Sequence, residues 1–147
     1  MNLNFALASS RIPFILFATY VLVGCTSTVV SNSSVEWVAP ALQPSLSLST
    51  VDTGTLVVKR DSGGALFMRG CKHRISIDGA PFVDLMPGQG TKVFVRPGKH
   101  VIDLSFTAEV CNSGESAVAI DVAQGQPTFL RTTTSPDEKS LLIPSAN

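Results

Sequence analysis

The rhythm of apolar and polar positions changes three times along the chain. From Ile12 to Val23 ("IPFILFATYVLV") only Thr19 and Tyr20 interrupt an apolar run. That run is too short for a membrane-spanning helix, which needs roughly 20 residues. From Thr26 to Gly54 Ser and Thr dominate, Pro40 and Pro44 break the stretch and charge is almost absent. This composition predicts a flexible tether, within which "LSLST" (Leu46 to Thr50) alternates enough for a short edge strand. Beyond Gly54, runs of β-branched residues alternate with Gly/Pro turns. Thr55–Arg60, Arg74–Asp78, Pro81–Leu85, Thr91–Arg96, Val101–Phe106, Ser116–Val122 and Pro127–Thr133 read as strands, with Leu141–Ile143 closing an edge. Ile75 and Ile77 share a face, as do Ile102, Leu104 and Phe106, and Val118, Ile120 and Val122. Asp78-Gly79 is a hairpin signal, because the tight turn needs positive φ. About seven strands with turn signals roughly every eight to twelve residues predict an all-β fold, a small antiparallel β-sandwich. The chain thus divides into a leading segment, residues 1–24, a tether, 25–53, and a β domain, 54–147.

Composition narrows the functional classes. Charged residues are 15% of the chain and the formal net charge is zero, against roughly 25% charged in an average soluble protein. No basic surplus tracks a phosphate backbone, so no nucleic acid is expected as partner. Arg60, Lys72, Arg74 and Arg96 read as a solvated face in preference to an anion site. The only tryptophan, Trp37, either docks on the domain or the membrane interface, or anchors a partner.

The leading segment has the layout of a secretory signal: a cation, Arg11, then a short apolar core, then small residues. Its end, Leu22-Val23-Gly24-Cys25, resembles the bacterial lipobox, with Leu at −3, a small residue at −1 and Cys at +1. Membership of the bacterial lipoprotein class implies cleavage between Gly24 and Cys25. It also implies diacylglycerol on the Cys25 thiol and acylation, commonly palmitate, of the new α-amine. Each buried methylene contributes roughly 0.8 kcal/mol, so two or three chains anchor a protein durably. Thr26 in place of Asp at +2 implies, by the same resemblance, the outer membrane of the cell envelope.

A lipid on Cys25 leaves Cys71 and Cys111 as a pair. In an oxidising compartment these are expected to form a disulfide, closing a loop of about 40 residues worth on the order of 3–4 kcal/mol. The rival readings are free thiols, or a metal site that draws in His73 and His100; neither of the paired spacings of a closed zinc site is present. Catalytic machinery is equally hard to find. No G-x-S-x-G elbow occurs. "DSGG" (Asp61 to Gly64), superficially similar to a serine-protease active-site tetrapeptide, reads as a tight turn. "GQG" (Gly88 to Gly90) precedes no helix that would hold a phosphate. Asp78, Asp84, Asp103 and Asp121 fall on turns or solvent-facing strand positions. His100 reads as exposed at a strand start. No enzyme activity, metal or cofactor beyond the covalent lipid is expected.

At "ISIDGAPFVDLMPGQGTKVFVRPGKHVIDLSF" the pattern is similar to the small PEGA-like β modules and related uncharacterised domains of bacterial lipoproteins. The matching positions are Ile77, Asp78, Gly79, Pro97, Gly98, His100 and Val101; the P-E-G-A tetrapeptide itself is absent. The resemblance covers roughly residues 54–131 and implies a fold, with no catalytic residues. The expectation is therefore a membrane-anchored envelope lipoprotein with a non-catalytic binding or structural domain. A first alternative is a module for a glycan or protein ligand, using the loops Arg60 to Lys72 and Cys111 to Glu115. A remote second is a small hydrolase centred on Ser62 and His100.

Overall fold

Alternation decides which face each strand buries. In His73–Ile77 the residues His73, Ile75 and Ile77 are buried while Arg74 and Ser76 are only half-buried; in Gly98–Phe106 the buried pair is Ile102 and Leu104. The computed structural model describes residues 27–63, 70–107, 111, 114–134 and 139–146; the apolar run and the Gly24–Cys25 junction lie outside them. The strands are β1 (Ser27–Thr28), β2 (Glu36–Trp37), β3 (Gly54–Arg60), β4 (Ser62–Gly63), β5 (His73–Ile77), β6 (Ala80–Leu85), β7 (Gln89–Val95), β8 (Gly98–Phe106), β9 (Ser116–Val122), β10 (Pro127–Thr134) and β11 (Ser140–Pro144).

One sheet has the order β11-β10-β3-β7-β2, a second β6-β5-β8-β9, and β1 pairs with β4 alone. The two larger sheets close on a shared core. Leu56, Val58, Val93 and Leu130 come from the first; Ile75, Phe82, Leu85, Ile102, Leu104 and Val122 come from the second. Each such side chain stabilises the fold by roughly 1.5–3 kcal/mol when fully buried. The all-β sandwich predicted from strand spacing is the fold, and Leu141–Ile143 lies in the edge strand β11 as expected.

Two of its features follow from packing alone. β10 runs parallel to β3, from Pro127 opposite Thr55 to Thr132 opposite Arg60, so the first sheet is mixed; the excursion through the second sheet supplies the long crossover that a parallel pair requires. In the β5–β6 hairpin the register slips between Ile75–Val83 and Ser76–Pro81, leaving Phe82 without an opposite residue. That bulge lets Phe82 and its neighbour Val83 both be buried. The hairpin turns on Asp78 (φ 50°) and Gly79 (φ 80°), the positive-φ pair its sequence signals.

Three local expectations are corrected. Pro44–Ser47 forms a 3-10 turn where Leu46–Thr50 was expected as an edge strand; Pro44 opens it, with φ preset for a helical turn and no N–H to give a ladder. Asp61 is buried and Ser62–Gly63 pairs with β1, so Asp61–Gly63 is no tight turn. The stretch 25–53, expected as a tether, is engaged with the sandwich from Ser27 onward. Val30 is buried, β2 pairs with β7 at Gln89 and Gly90, and the Leu42 N–H donates to Phe82 O.

The strand directions define two ends. β3, β6, β8 and β10 finish, and β5, β7, β9 and β11 begin, at the near end, where β1 and β4 also lie. The far end carries the Asp78–Gly79 and Arg96–Gly98 turns. At the near end Cys71 and Cys111 are joined in a disulfide, 5.6 Å between Cα atoms, packed against Phe106. Replacing both cysteines with Ser should cost about 2–5 kcal/mol of stability, read from urea unfolding. A thiol assay on denatured, unreduced native domain should detect neither of them.

Candidate functional site

β3 carries its last inward residue, Arg60, into a polar cluster between the sheets. The Arg60 guanidinium donates to the carbonyl oxygens of Cys71 and Leu85, and burial lowers its pKa to about 10. Beside it His73 is fully buried. Its Nδ1 lies 2.9 Å from Thr132 Oγ1 and its Nε2 3.2 Å from Ser140 Oγ. Phe106 meets the ring edge-on at 5.1 Å. Desolvation first, then the Arg60 charge, drives the His73 pKa down to about 3, so the ring is neutral and one nitrogen donates while the other accepts. A Ser–His contact of this length suits a nucleophile and its base. Here, however, Ser140 is 3% exposed, the third partner is a hydroxyl, and a base with so low a pKa accepts a proton poorly at neutral pH. The group works as a satisfied polar bridge between β5, β10 and β11.

The far end holds the other histidine in opposite circumstances. His100 Nδ1 is 2.7 Å from Asp78 Oδ2 and its Nε2 2.8 Å from Arg96 O. Acceptors on both nitrogens favour the doubly protonated ring. Burial alone would lower the pKa, but the Asp78 hydrogen bond, the Arg96 carbonyl and the Asp78 and Asp121 charges together raise it. Asp78 is held below its usual value, by the His100 hydrogen bond first and then by the Val101 N–H. His100 is thus bonded on both sides and its side chain is 15% exposed, where an exposed position at a strand start was expected.

The surface with the composition of a recognition site is the outer face of the first sheet. A groove of about 340 Å³ runs there between Trp37 and Phe129, over Thr55 and Val57, with Lys92 and Asn32 at its margin. Trp37 is 47% exposed. A second hollow, against Val38 and Ala39, shares Trp37 and Lys92, so the indole stands as a ridge between the two. Gly90 permits this arrangement: a Cβ there would lie 2.8 Å from Val35 Cγ2 and 3.2 Å from Trp37 Cζ3. An aromatic pair on an apolar floor with a few polar groups is how small-ligand and partner sites are commonly lined.

The other candidates are scattered. Ser62 donates to Thr28 O at the near end, whereas His100 is at the far end, so the two residues of the hydrolase reading do not meet. Arg60 points inward, Arg74 pairs with Asp84 at 2.8 Å, and Arg96 borders the far turn; with Lys72 they form no single face. The ligand loops Arg60 to Lys72 and Cys111 to Glu115 lie partly outside the described residues. Cys71 and Cys111 bind each other, and among the described residues no three His, Cys, Asp or Glu side chains converge on a metal position. Sequence reading singled out Trp37 but missed Val57, Lys92 and Phe129; the outward Val and Phe positions in β3 and β10 were the available signal. No protein-family model matches the chain, and no curated protein matches it in sequence.

Two measurements check this geometry. With the His100 pKa raised, its contribution to stability is fully present below about 6.5, the unfolded value, and disappears as pH rises through the folded pKa. The Asp78 contribution is present above about 3.9 and disappears as pH falls through its lowered value. Asp78→Asn, which tolerates the positive φ, should bring the His100 pKa down toward its ordinary value in an NMR titration. Gly90→Ala should displace the indole and shift Trp37 emission to the red while the far-UV dichroism stays β.

Proposed function

We propose that the chain is a bacterial envelope lipoprotein, held to the membrane through lipid on Cys25, whose β-sandwich binds or braces a partner without catalysis. The observation that carries this reading is the cysteine arithmetic. Cys71 and Cys111 are paired, and the remaining thiol is Cys25, at the junction of a short apolar run with Leu22 and Gly24. A disulfide persists in the oxidising compartments that export reaches, which agrees with a secretory signal. Thr26 at +2 favours the outer membrane. For the domain, the groove beside Trp37 supports binding of a glycan ring or an apolar protein segment, with Lys92 and Asn32 supplying polar contacts.

Mass spectrometry of the mature protein from envelopes should find a chain that starts at Cys25 and carries the mass of two or three acyl chains. A Cys25→Ser variant should keep Met1 and leave the membrane fraction unlipidated. An unmodified Cys25 in a chain that still carries Met1 sinks the reading.

A further inference from the structure

We infer that, in the lipidated protein, the near end of the sandwich rests on the lipid surface and the far end faces away from it. The inference builds on the lipoprotein reading and concerns the surface that meets the bilayer. It follows from how little chain separates the anchor from the fold. Thr26 alone stands between Cys25 and Ser27, the first described residue, which is paired with Gly63. With 3.8 Å between successive Cα atoms, the Cα of Cys25 lies within about 7 Å of the Cα of Ser27. A free linker over residues 25–53 would instead give an r.m.s. reach of about 30 Å, and the domain would tumble.

Ser27 is fixed in the fold by several contacts. Ser27 and Thr28 lie opposite Gly63 and Ser62. The Ser62 hydroxyl donates to Thr28 O at 3.3 Å and the Ser27 hydroxyl to Asp61 Oδ2 at 3.4 Å. Three residues on from Ser27, Val30 is 5% exposed. Among the described residues the attachment point lies at the near end, because Ser62 and Gly63 follow Arg60, where β3 ends. β8, Gly98–Phe106, spans the long axis from far end to near end, about 30 Å at a strand's rise per residue. The far end is thus several times farther from the lipid than the spacer is long.

The orientation sorts the surface. The described residues beside the disulfide, Gly70, Lys72 and Gly114, are turned toward headgroups; they belong to the loops first expected to take a ligand. The far end, where a groove of about 530 Å³ lies among Leu46, Leu48, Phe94, Arg96 and His100, is what a soluble partner meets.

Energy transfer from a single tryptophan to a dansyl headgroup lipid tests this on the full-length lipidated protein. It is reconstituted in vesicles of phosphatidylethanolamine and phosphatidylglycerol. In a Trp37→Phe background, Ser33→Trp reports on the near end and Lys99→Trp on the far end; both positions are exposed and such substitutions are well tolerated. Transfer should be several-fold stronger from position 33. Inserting about 20 Gly/Ser residues between Thr26 and Ser27 should lower transfer from position 33 and bring the two values together. Equal transfer from both positions without the insertion, or no effect of the insertion, overturns the orientation while the lipid on Cys25 stands. A mass spectrum of the same preparation without that lipid refutes the lipoprotein reading, and the orientation with it.

Discussion

Every residue of β3 from Leu56 to Arg60 is buried, those that point into the sandwich and those that point out of it. Inward, Leu56 and Val58 join the core. Outward, Val57 and Lys59 would face water if the sheet were bare. The N-terminal segment covers this side. Val30 is buried, Asn32 accepts a hydrogen bond from Lys59 Nζ at 3.0 Å, and Trp37 lies over Gly90, the residue opposite Lys59. A strand buried on both faces needs cover on both, and this requirement draws the Ser/Thr-rich stretch onto the domain and shapes the groove beside Trp37.

The same double burial creates the polar interior of the near end. Buried charges are costly unless paired. Arg60 meets this by donating to two carbonyls. Asp61 does so less completely: Arg131 Nε stands 3.3 Å from Oδ2, without hydrogen-bond alignment, and Oδ1 has no hydrogen-bond partner among the described residues. Desolvation accordingly raises the Asp61 pKa, against the opposing pull of Thr133, Arg131, Ser27 and Lys59. His73 adds a neutral ring held by two hydroxyls. Together with the disulfide, these contacts tie the two sheets where β3 and β10 finish and β5 and β11 begin. At the far end the histidine is partnered by a carboxylate near the surface, which helps to raise its pKa. One chain therefore holds two imidazoles whose pKa values are pushed in opposite directions, because only one has lost its water.

Much of this was legible in the residues. Ile75/Ile77, Ile102/Leu104 and Val118/Ile120/Val122 announce their strands by alternation, since one face of each meets the core. Asp78-Gly79 announces its hairpin because few residue pairs accept two positive φ values. Cys71 and Cys111 announced a pairing by their number. What escaped notice has a common cause. The parallel β3–β10 pairing, the Phe82 bulge and the docking of residues 27–48 depend on contacts between segments distant in sequence, and low-charge Ser/Thr-rich chain looks the same whether it is free or held. His73 escaped too: in "CKHRISID" its place in the alternation marks it as inward, but only Thr132 and Ser140, far along the chain, make a neutral histidine acceptable there.

The sequence by itself determined the class of fold, the strand segments and their turns. These are local properties: side-chain period, and backbone freedom at Asp-Gly and Pro-Gly. Only the tertiary structure decided that the first described residues belong to the sandwich, that Trp37 stands over a groove, and that Ser27 and Thr28 pair at the near end. Burial is a property of the assembled sheets. β3 had to be placed in the middle of its sheet before its outer face needed a cover, and that need is what turns the stretch after Cys25 from a tether into part of the domain.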